Sequence, residues 1–217
     1  MIVWPKRSWF KFSNEPLFGP VLFYSIGLLP LHSDNVLPQL TLRVRAHLMQ
    51  SVLHPRLQTS LNEVAVHSLF NEVNTIWAPA GICFQLEAVD TVRAFDIAPK
   101  KWFERDRNWV KSAIPTQHFS STAIDVCFVR DMGPNGFFYG EPVVVCEVPE
   151  FTKVRGGADN PVARVIAHEL GHVLFLQHRQ DHTNLMASGR DGVSLNAQEI
   201  RDARQRALQI LGQEPTP

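Results

Sequence analysis

The chain has 217 residues, of which 45% are hydrophobic and 19% charged, a composition typical of a folded globular protein and too apolar for a disordered one. Its 21 basic residues balance 21 acidic ones, so no excess of positive charge is present to attract nucleic acid or an anionic membrane surface. Three cysteines are too few for a disulfide framework, which leaves either buried free thiols or a single bridge between Cys127 and Cys146.

Residues 1–38 form an apolar N-terminal segment whose stretch PLFGPVLFYSIGLLPLH carries no charge and follows several basic residues. This pattern is similar to the apolar core of a signal peptide. Against that interpretation, the stretch contains Pro20, Gly27 and Pro30, no small-residue cleavage site follows it, and it is short for a membrane span. We therefore expect either a targeting segment of an exported protein or an apolar arm of a cytoplasmic one, and no strong membrane span.

The next part of the chain predicts a strand, a helix and a second strand. Apolar and polar residues alternate over 40–51 and again over 82–89, the period of strands with one buried face. Between them, residues 59–77 carry apolar side chains at helical spacing, with Thr59 or Ser60 as the N-cap. The order favours a crossover unit within a partly parallel sheet.

The middle of the chain predicts a surface helix and two more strands. Residues 100–114 form the helix, which Pro115 ends, and the nearly continuous apolar run 123–132 is typical of a central strand. After the turn GPNG, residues 137–148 read as one further strand that contains Pro142. Because proline cannot donate to a strand ladder, we predict that this strand lies at the edge of the sheet.

The last third predicts two helices separated by an irregular loop. Asn160 and Pro161 stand in the order favoured at a helix start, and an apolar stripe follows them. Residues 177–194 are polar, rich in histidine and contain two glycines, and residues 196–211 return to helical spacing with a capping box that starts at Asn196.

The first of these helices carries HELGHVLFLQH, in which His168 and His172 are four residues apart. Residues four apart share one helix face, so both imidazoles can aim at one point, and neutral imidazole is a good zinc ligand. Glu169 lies about 100° around the helix and can flank the metal without binding it. A carboxylate there suits a general base, since zinc lowers the pKa of a bound water towards about 7.

His178 can join these residues only if the helix breaks. In a continuous helix it would lie about 240° around from His172 and about 9 Å further along the axis. The break falls at Phe175, where a left-handed conformation costs an L-residue roughly 1–2 kcal/mol that zinc binding can offset. Alternatively, the turn shifts and Asp181 or His182 supplies the third ligand.

Together, HELGHVLFLQH and the later TNLMASG resemble the zinc signature and Met-turn of the metzincin metallopeptidases. The family pattern HExxHxxGxxH is matched up to His178 and departs at Phe175, where the family has glycine. The resemblance implies a zincin-like α+β fold with a twisted, mostly parallel mixed sheet, an antiparallel edge strand, an active-site helix, a Met-turn and a C-terminal helix. It also implies a single catalytic domain over 39–217, divided into an upper subdomain, 39–178, and a small lower one, 179–217.

The activity implied by the resemblance is hydrolysis of peptide bonds by a zinc metalloendopeptidase, with Zn²⁺ as cofactor and a peptide or protein as substrate. The metal would be held by His168, His172 and His178, with Glu169 as general base and Met186 as a hydrophobic floor below the metal.

The family's edge strand pairs with the backbone of the bound peptide, which makes Tyr139, Gly140 and Glu141 candidates to border the cleft. Two other functions stay open. A site distorted by Phe175 would favour a non-catalytic zinc-binding module for protein interaction, and a gluzincin-like hydrolase would take a downstream carboxylate such as Glu199 as its third ligand.

Overall fold

The computed structural model describes residues 37–96, 107–138, 140 and 142–212, so the N-terminal segment predicted over 1–38 falls almost entirely outside the described residues. No helix in the described ranges combines the length and apolarity needed to cross a membrane. The described elements are β1 (Leu40–Gln50), α1 (Glu63–Trp77), β2 (Ile82–Arg93), α2 (Arg107–Ala113), β3 (Ile124–Val129), β4 (Gly136–Phe138), β5 (Val143–Cys146), α3 (Pro161–Val173) and α4 (Ala197–Ile210).

The five strands form one mixed sheet in the order β2-β1-β3-β5-β4, in which all neighbours are parallel except β4 and β5. The predicted crossover unit is confirmed, because β1 and β2 pair in parallel and α1 connects them. The antiparallel strand β4 stands at one end of this order. The prediction of an α+β fold with a mostly parallel sheet is therefore confirmed.

Alternation along the strands divides the core between the two sheet faces. Val44 and Ala46 of β1 belong to the larger core cluster, which also contains buried residues of α1, α3 and α4. Cys127 and Val129 of β3 belong to a second cluster, which they share with residues of α2 such as Trp109. Each fully buried large apolar side chain contributes about 1.5–3 kcal/mol, so both faces stabilise the sheet that carries the site.

The segment 137–148 is not the single edge strand that its sequence suggests. The chain forms the short antiparallel edge strand β4 and then β5, which lies between β3 and β4. Pro142 stands immediately before β5, where its missing N–H interrupts no ladder. The prediction of an edge strand is therefore confirmed for β4 and wrong for β5.

The start of α1 also differs from the prediction. Asn62 is the N-cap, and its Oδ1 accepts a hydrogen bond from the N–H of Ala65 at 2.9 Å. Thr59 Oγ1 instead donates to Glu147 Oε2 at 2.6 Å, and the N–H of Ser60 donates to the same oxygen at 2.7 Å. Because both residues donate hydrogen bonds to the Glu147 carboxylate, neither Thr59 nor Ser60 caps the helix.

All three cysteines are free thiols, so the bridge considered between Cys127 and Cys146 does not form. The helix predicted over 100–114 is described from Arg107 to Ala113, and its first residues fall outside the described ranges. The strand predicted over 82–89 continues to Arg93.

Candidate metal centre

Helix α3 carries the motif and is buried along most of its length. Asn160 caps it as predicted, with Oδ1 accepting from the N–H of Val162 at 3.1 Å. The indole N–H of Trp77 donates to the carbonyl of Ala167 at 3.2 Å, which joins α3 to α1. His168 and Glu169 are each 5% exposed. The motif therefore lies on a rigid element with packing on several sides.

A left-handed residue ends α3 and reverses the chain. The N–H of Leu176 donates to the carbonyl of Gly171 at 2.9 Å, and the N–H of Phe175 donates to that of His172 at 3.0 Å. These are the paired bonds of a Schellman motif, whose residue after the C-cap is usually glycine. Phe175 takes that position with φ 64°, and no other non-glycine residue in the described ranges has a positive φ. The predicted reversal beyond Leu174 is confirmed.

The Phe175 ring has a contact that offsets part of its backbone strain. The side chain is 61% exposed, and the guanidinium carbon of Arg206 on α4 lies 3.9 Å from the ring centroid. A cation above an exposed aromatic face contributes about 0.5–1 kcal/mol, against the roughly 1–2 kcal/mol cost of the left-handed conformation.

The reversal brings three imidazoles together. His178 Nε2 lies 3.3 Å from His168 Nε2 and 3.1 Å from His172 Nε2. Nitrogen ligands at about 2.0–2.1 Å from a tetrahedral zinc ion are separated from one another by about 3.3 Å. Among the described residues, these three form the one group of potential ligands that gathers around a common point. The donor set and its spacing fit a zinc ion.

Backbone carbonyls fix the orientation of two of these rings. His168 Nδ1 lies 2.8 Å from the carbonyl oxygen of Leu185, and His172 Nδ1 lies 2.8 Å from that of Leu176. Because a carbonyl can only accept, both Nδ1 atoms carry the hydrogen, which leaves a lone pair on each Nε2. His178 Nε2 can donate a hydrogen to only one of these lone pairs, whereas a cation satisfies all three nitrogens.

Burial also keeps the three rings neutral. Desolvation, with a smaller contribution from the positive charge of Arg164, lowers the pKa of His168 to about 3. Desolvation likewise lowers the pKa of His172 and that of His178. Neutral imidazole is the form that binds metal, so the site is ready for a ligand role near neutral pH.

Glu169 lies beside the imidazoles and against the edge strand. Burial raises the pKa of its carboxyl to about 8, although the charges of Arg164 and Arg107 oppose the increase. A Cβ built on Gly136 of β4 would lie 2.7 Å from Glu169 Oε1 and 2.7 Å from Val165 Cγ1. Glycine therefore permits the close approach of β4 to α3.

Met186 is fully buried beneath α3. Its sulfur lies 2.6 Å from the position that a Cβ on Gly171 would occupy, so the glycine within the motif makes room for it. The N–H of Met186 donates to Asn184 Oδ1 at 2.7 Å. The preceding carbonyl, that of Leu185, is the one that orients His168.

A buried arginine holds the same loop against α3. Arg164 is 2% exposed, and its Nη2 donates to the carbonyls of Leu185 and Ala187 at 2.6 Å each, while its Nε donates to that of Gly192 at 3.3 Å. Burial lowers the pKa of Arg164 to about 10, which still leaves it charged at neutral pH. This role is not predictable from the sequence, because an arginine on an apolar helix face is ordinarily expected at the surface.

The three alternative ligands lie outside the group of imidazoles. Glu199 is fully buried, and its carboxylate accepts hydrogen bonds from Arg179 Nε, Asn184 Nδ2 and the N–H of Asn196, each at 2.8 Å. The carboxylate of Glu199, the alternative third ligand of a gluzincin-like site, is therefore occupied by these three hydrogen bonds. Asp181 and His182 are exposed, and the Asp181 carboxylate accepts from the N–H and Oγ1 of Thr183 at 2.9 Å each.

Two clefts open onto the imidazoles along β4. A cleft of about 570 Å³ is lined by residues that include Arg107, Phe138, Gly140 and Glu169, and a smaller one of about 220 Å³ lies towards Ser188. Of the three residues predicted to border the cleft, Gly140 lies in its wall, whereas Tyr139 and Glu141 fall outside the described residues.

Gly136 and Arg107 lie at the site although the sequence does not predict them there. Gly136 ends the predicted turn GPNG, and a glycine at the start of a strand-like run is a signal for close backbone approach. Arg107 falls in the surface helix predicted over 100–114, and nothing local in the sequence places it near the histidines.

No family model matches the chain, and no curated protein matches it. Among solved structures it is similar to one described as a chaperone–substrate complex, at 13% identity and TM-score 0.48, over 82% of this chain and 36% of the other. It is also similar to metalloproteinase-II from Bacteroides fragilis, at 13% identity and TM-score 0.41, over 85% of this chain and 56% of the other. A third similar structure is archaemetzincin from Methanopyrus kandleri, at 14% identity and TM-score 0.38, over 80% of this chain and 94% of the other.

The chain therefore spans about a third of the first of these structures and just over half of the second. Likeness at these identities and scores carries no weight for an activity, so function is inferred from the site itself.

Proposed function

We propose that this protein is a zinc-dependent metallopeptidase that hydrolyses peptide bonds. The observation that carries the proposal is the convergence of His168, His172 and His178, with Nε2 separations of 3.1 and 3.3 Å, at an open cleft beside Glu169. Catalytic zinc sites use three protein ligands and keep a further position for water or substrate. A purely structural site has no use for the additional carboxylate.

Zinc, when bound, supplies a Lewis acid that activates water and polarises the carbonyl of the scissile bond. Glu169 accepts the proton of the attacking water at its carboxylate and returns it to the leaving amine. Burial makes this carboxyl bind a proton more tightly than an exposed one, and the positive charge of a bound metal ion would oppose that shift and favour the carboxylate that the first transfer needs. The carbonyls of Leu185 and Leu176 hold the rings of His168 and His172 throughout.

Strand β4 supports the choice of a peptide substrate. It pairs with β5 on one side and ends the sheet on the other, and Gly136 brings its backbone next to Glu169. An extended peptide can add to such an edge through main-chain hydrogen bonds. In this proposal, Gly140 borders the cleft together with Tyr139 and Glu141, and Met186 supports the histidines from below as the residue of a Met-turn.

The alternative of a non-catalytic zinc module depended on a site distorted by Phe175. The left-handed turn at Phe175 removes that reason, because the three nitrogens reach spacings that suit a tetrahedral ion.

Metal analysis and a broad peptide-library cleavage assay on the wild type and Glu169→Gln test the proposal. We expect one zinc ion per chain in both proteins, cleavage by the wild type, and a loss of roughly 10²–10⁴-fold in kcat for the variant. Zinc bound without cleavage by either protein would overturn the peptidase and leave the binding module.

A further inference from the structure

A further cavity of about 580 Å³, here called the side cavity, adjoins the cleft that contains Glu169. Its volume lies within the range of about 300–1,000 Å³ that is typical of ligand pockets. Apolar residues in the sheet and at the C-terminal ends of α3 and α4 form much of its described wall: Leu42, Ile124, Phe138, Val173, Phe175 and Ile210. Such a wall favours a ligand with apolar surface to bury.

The side cavity is continuous with the cleft along β4. Phe138 and Gly140 line both spaces. Phe138 stands two residues after Gly136, which lies next to Glu169, and this step covers about 7 Å of an extended strand. A peptide that adds to the free edge of β4 would therefore reach the side cavity about two to four residues from the bond beside Glu169.

Two arginines also line the side cavity, and both have contacts within the protein. Arg43 Nη2 donates to the carbonyl of Thr122 at 2.8 Å. The guanidinium of Arg206 lies over the Phe175 ring, and its Nη1 donates to Gln209 Oε1 at 3.2 Å. Arg206 thereby fixes the Phe175 ring as part of the wall.

Phe175 stands in this wall at the cost of backbone strain. Glycine would adopt φ 64° without that cost, and the contact with Arg206 offsets only part of it. The side chain is 61% exposed, so burial in the core does not explain a phenylalanine here either. Strained residues cluster at sites of binding and catalysis, where the strain is part of the function. A ring that completes a binding surface accounts for the choice of phenylalanine over glycine.

We infer that the side cavity is a substrate pocket for a bulky apolar side chain about two to four residues from the scissile bond, and that Phe175 binds this side chain. The inference rests on the proposed peptidase function and adds a substrate class to it: peptides with an aromatic or large aliphatic residue at that distance. Contact of such a side chain with Phe138, Phe175 and Ile210 would remove apolar surface from water on both partners.

The test starts from a peptide that the zinc-loaded wild type cleaves at a single bond, taken from the library assay. Each position up to about four residues from that bond is replaced in turn by Phe, Leu, Ala or Glu, and mass spectrometry locates the cleavage. At one position, about two to four residues away, we expect kcat/KM to be roughly tenfold or more higher for Phe and Leu than for Ala, the usual gain from added apolar groups in a pocket. Equal rates throughout would overturn the inference, and so would a preference for Glu, which would assign the binding to Arg206.

Variants of Phe175 assign the preference to its ring. Phe175→Gly permits the left-handed turn and removes the ring, so it should reduce the ratio of Phe to Ala peptides towards one with zinc still bound, whereas Phe175→Leu should keep part of the ratio. Ile210→Trp narrows the side cavity and should lower the ratio without removing apolar surface. Phe95→Ala is the matched control, because Phe95 is 46% exposed and lies outside the described wall. A ratio that survives in Phe175→Gly would contradict the assignment.

A binding measurement separates this inference from the proposed function. Anisotropy gives the affinity of a fluorescein-labelled alanine–glutamine peptide, with and without one Phe, for zinc-loaded Glu169→Gln and for the same protein with Phe175→Gly. Tighter binding of the Phe peptide that depends on Phe175, together with no cleavage of any library peptide by the wild type, would reject the peptidase and keep the pocket. Cleavage without a preference that depends on Phe175 would reject the pocket and keep the peptidase. A second copy of this chain as the occupant would block the peptide and remove the preference, which also rejects the pocket.

Discussion

Two groups of histidines in this molecule, the three at the candidate metal centre and His47 in the sheet, differ in what faces the ring. At the candidate metal centre, three Nε2 atoms face one another. In the sheet, His47 Nε2 on β1 lies 2.7 Å from Asp125 Oδ1 on β3, with the two side chains 1% and 0% exposed. Asp125 Oδ2 accepts a second hydrogen bond, from the N–H of Ser120 at 2.9 Å.

The difference shows which histidines need an ion. A ring that donates to a buried carboxylate has its partner within the protein, so the pair of His47 and Asp125 stabilises the core without a ligand. Rings that present lone pairs to each other have no such partner and require a cation. The first pair is enclosed by the sheet and the Phe119 ring, 5.5 Å away, whereas the three imidazoles open onto a cleft.

Removing one imidazole should have the largest effect. An apparent zinc-binding free energy of the order of 10 kcal/mol shared by three rings implies a loss of several hundred-fold in affinity for His178→Ala. Competition with a chromophoric chelator measures this change. His182→Ala is the control, since this exposed histidine lies four residues further on and outside the group. Equal losses in both variants would remove His178 from the site.

Breaking the enclosed pair should affect stability and leave the metal unaffected. Asp125→Ala removes the acceptor for His47 and for the N–H of Ser120, which should lower the free energy of unfolding by about 2–3 kcal/mol. Urea denaturation measures the loss, and metal analysis should still find one zinc ion per chain. Loss of zinc at unchanged stability would mean that the two surroundings are not distinct.

Substitutions of Phe175, in the turn between His172 and His178, should change stability by a smaller amount and test the geometry of this turn. Phe175→Gly should be more stable than Phe175→Ala by about 1 kcal/mol, because glycine adopts φ 64° without the Cβ clash that alanine keeps. Both variants lose the contact with Arg206, so their difference isolates the backbone. Alanine at least as stable as glycine in urea denaturation would show that residue 175 is not left-handed.

The smallest expected effect is the order in which the three cysteines react with an alkylating reagent. Cys127 lies in the enclosed region beside Asp125, and burial raises the pKa of its thiol, with the Asp125 charge adding to the increase; burial also raises the pKa of Cys146. Since the thiolate is the reactive form, iodoacetamide should modify half-buried Cys83 first and the other two upon unfolding. Mass spectrometry of the native protein checks this order, and early labelling of Cys127 would contradict the enclosed geometry.

Local rules predicted the elements that carry the motif. Asn160 and Asn196 cap helices at the positions that their sequences indicate, and the reversal at Phe175 is the one that His178 needs in order to join His168 and His172. These features depend on residues close together in the chain.

What the sequence could not predict depends on distant partners. Thr59 donates a hydrogen bond to Glu147, 88 residues away, instead of capping α1. His47 contacts Asp125, which lies 78 residues further along the chain. The split between β4 and β5 follows from which strand each pairs with, and Gly136 acquires its role because α3 packs against β4. In each case the tertiary packing decides between local alternatives that are close in energy.

X-ray absorption at the zinc K-edge, on protein loaded with one equivalent of zinc, tests the central claim most directly. The proposed site predicts three imidazole nitrogens and a fourth, water oxygen ligand at about 2.0–2.1 Å, with one imidazole fewer in His178→Ala. A wild-type spectrum with two imidazoles or fewer, or with a sulfur ligand at about 2.3 Å, would contradict the account.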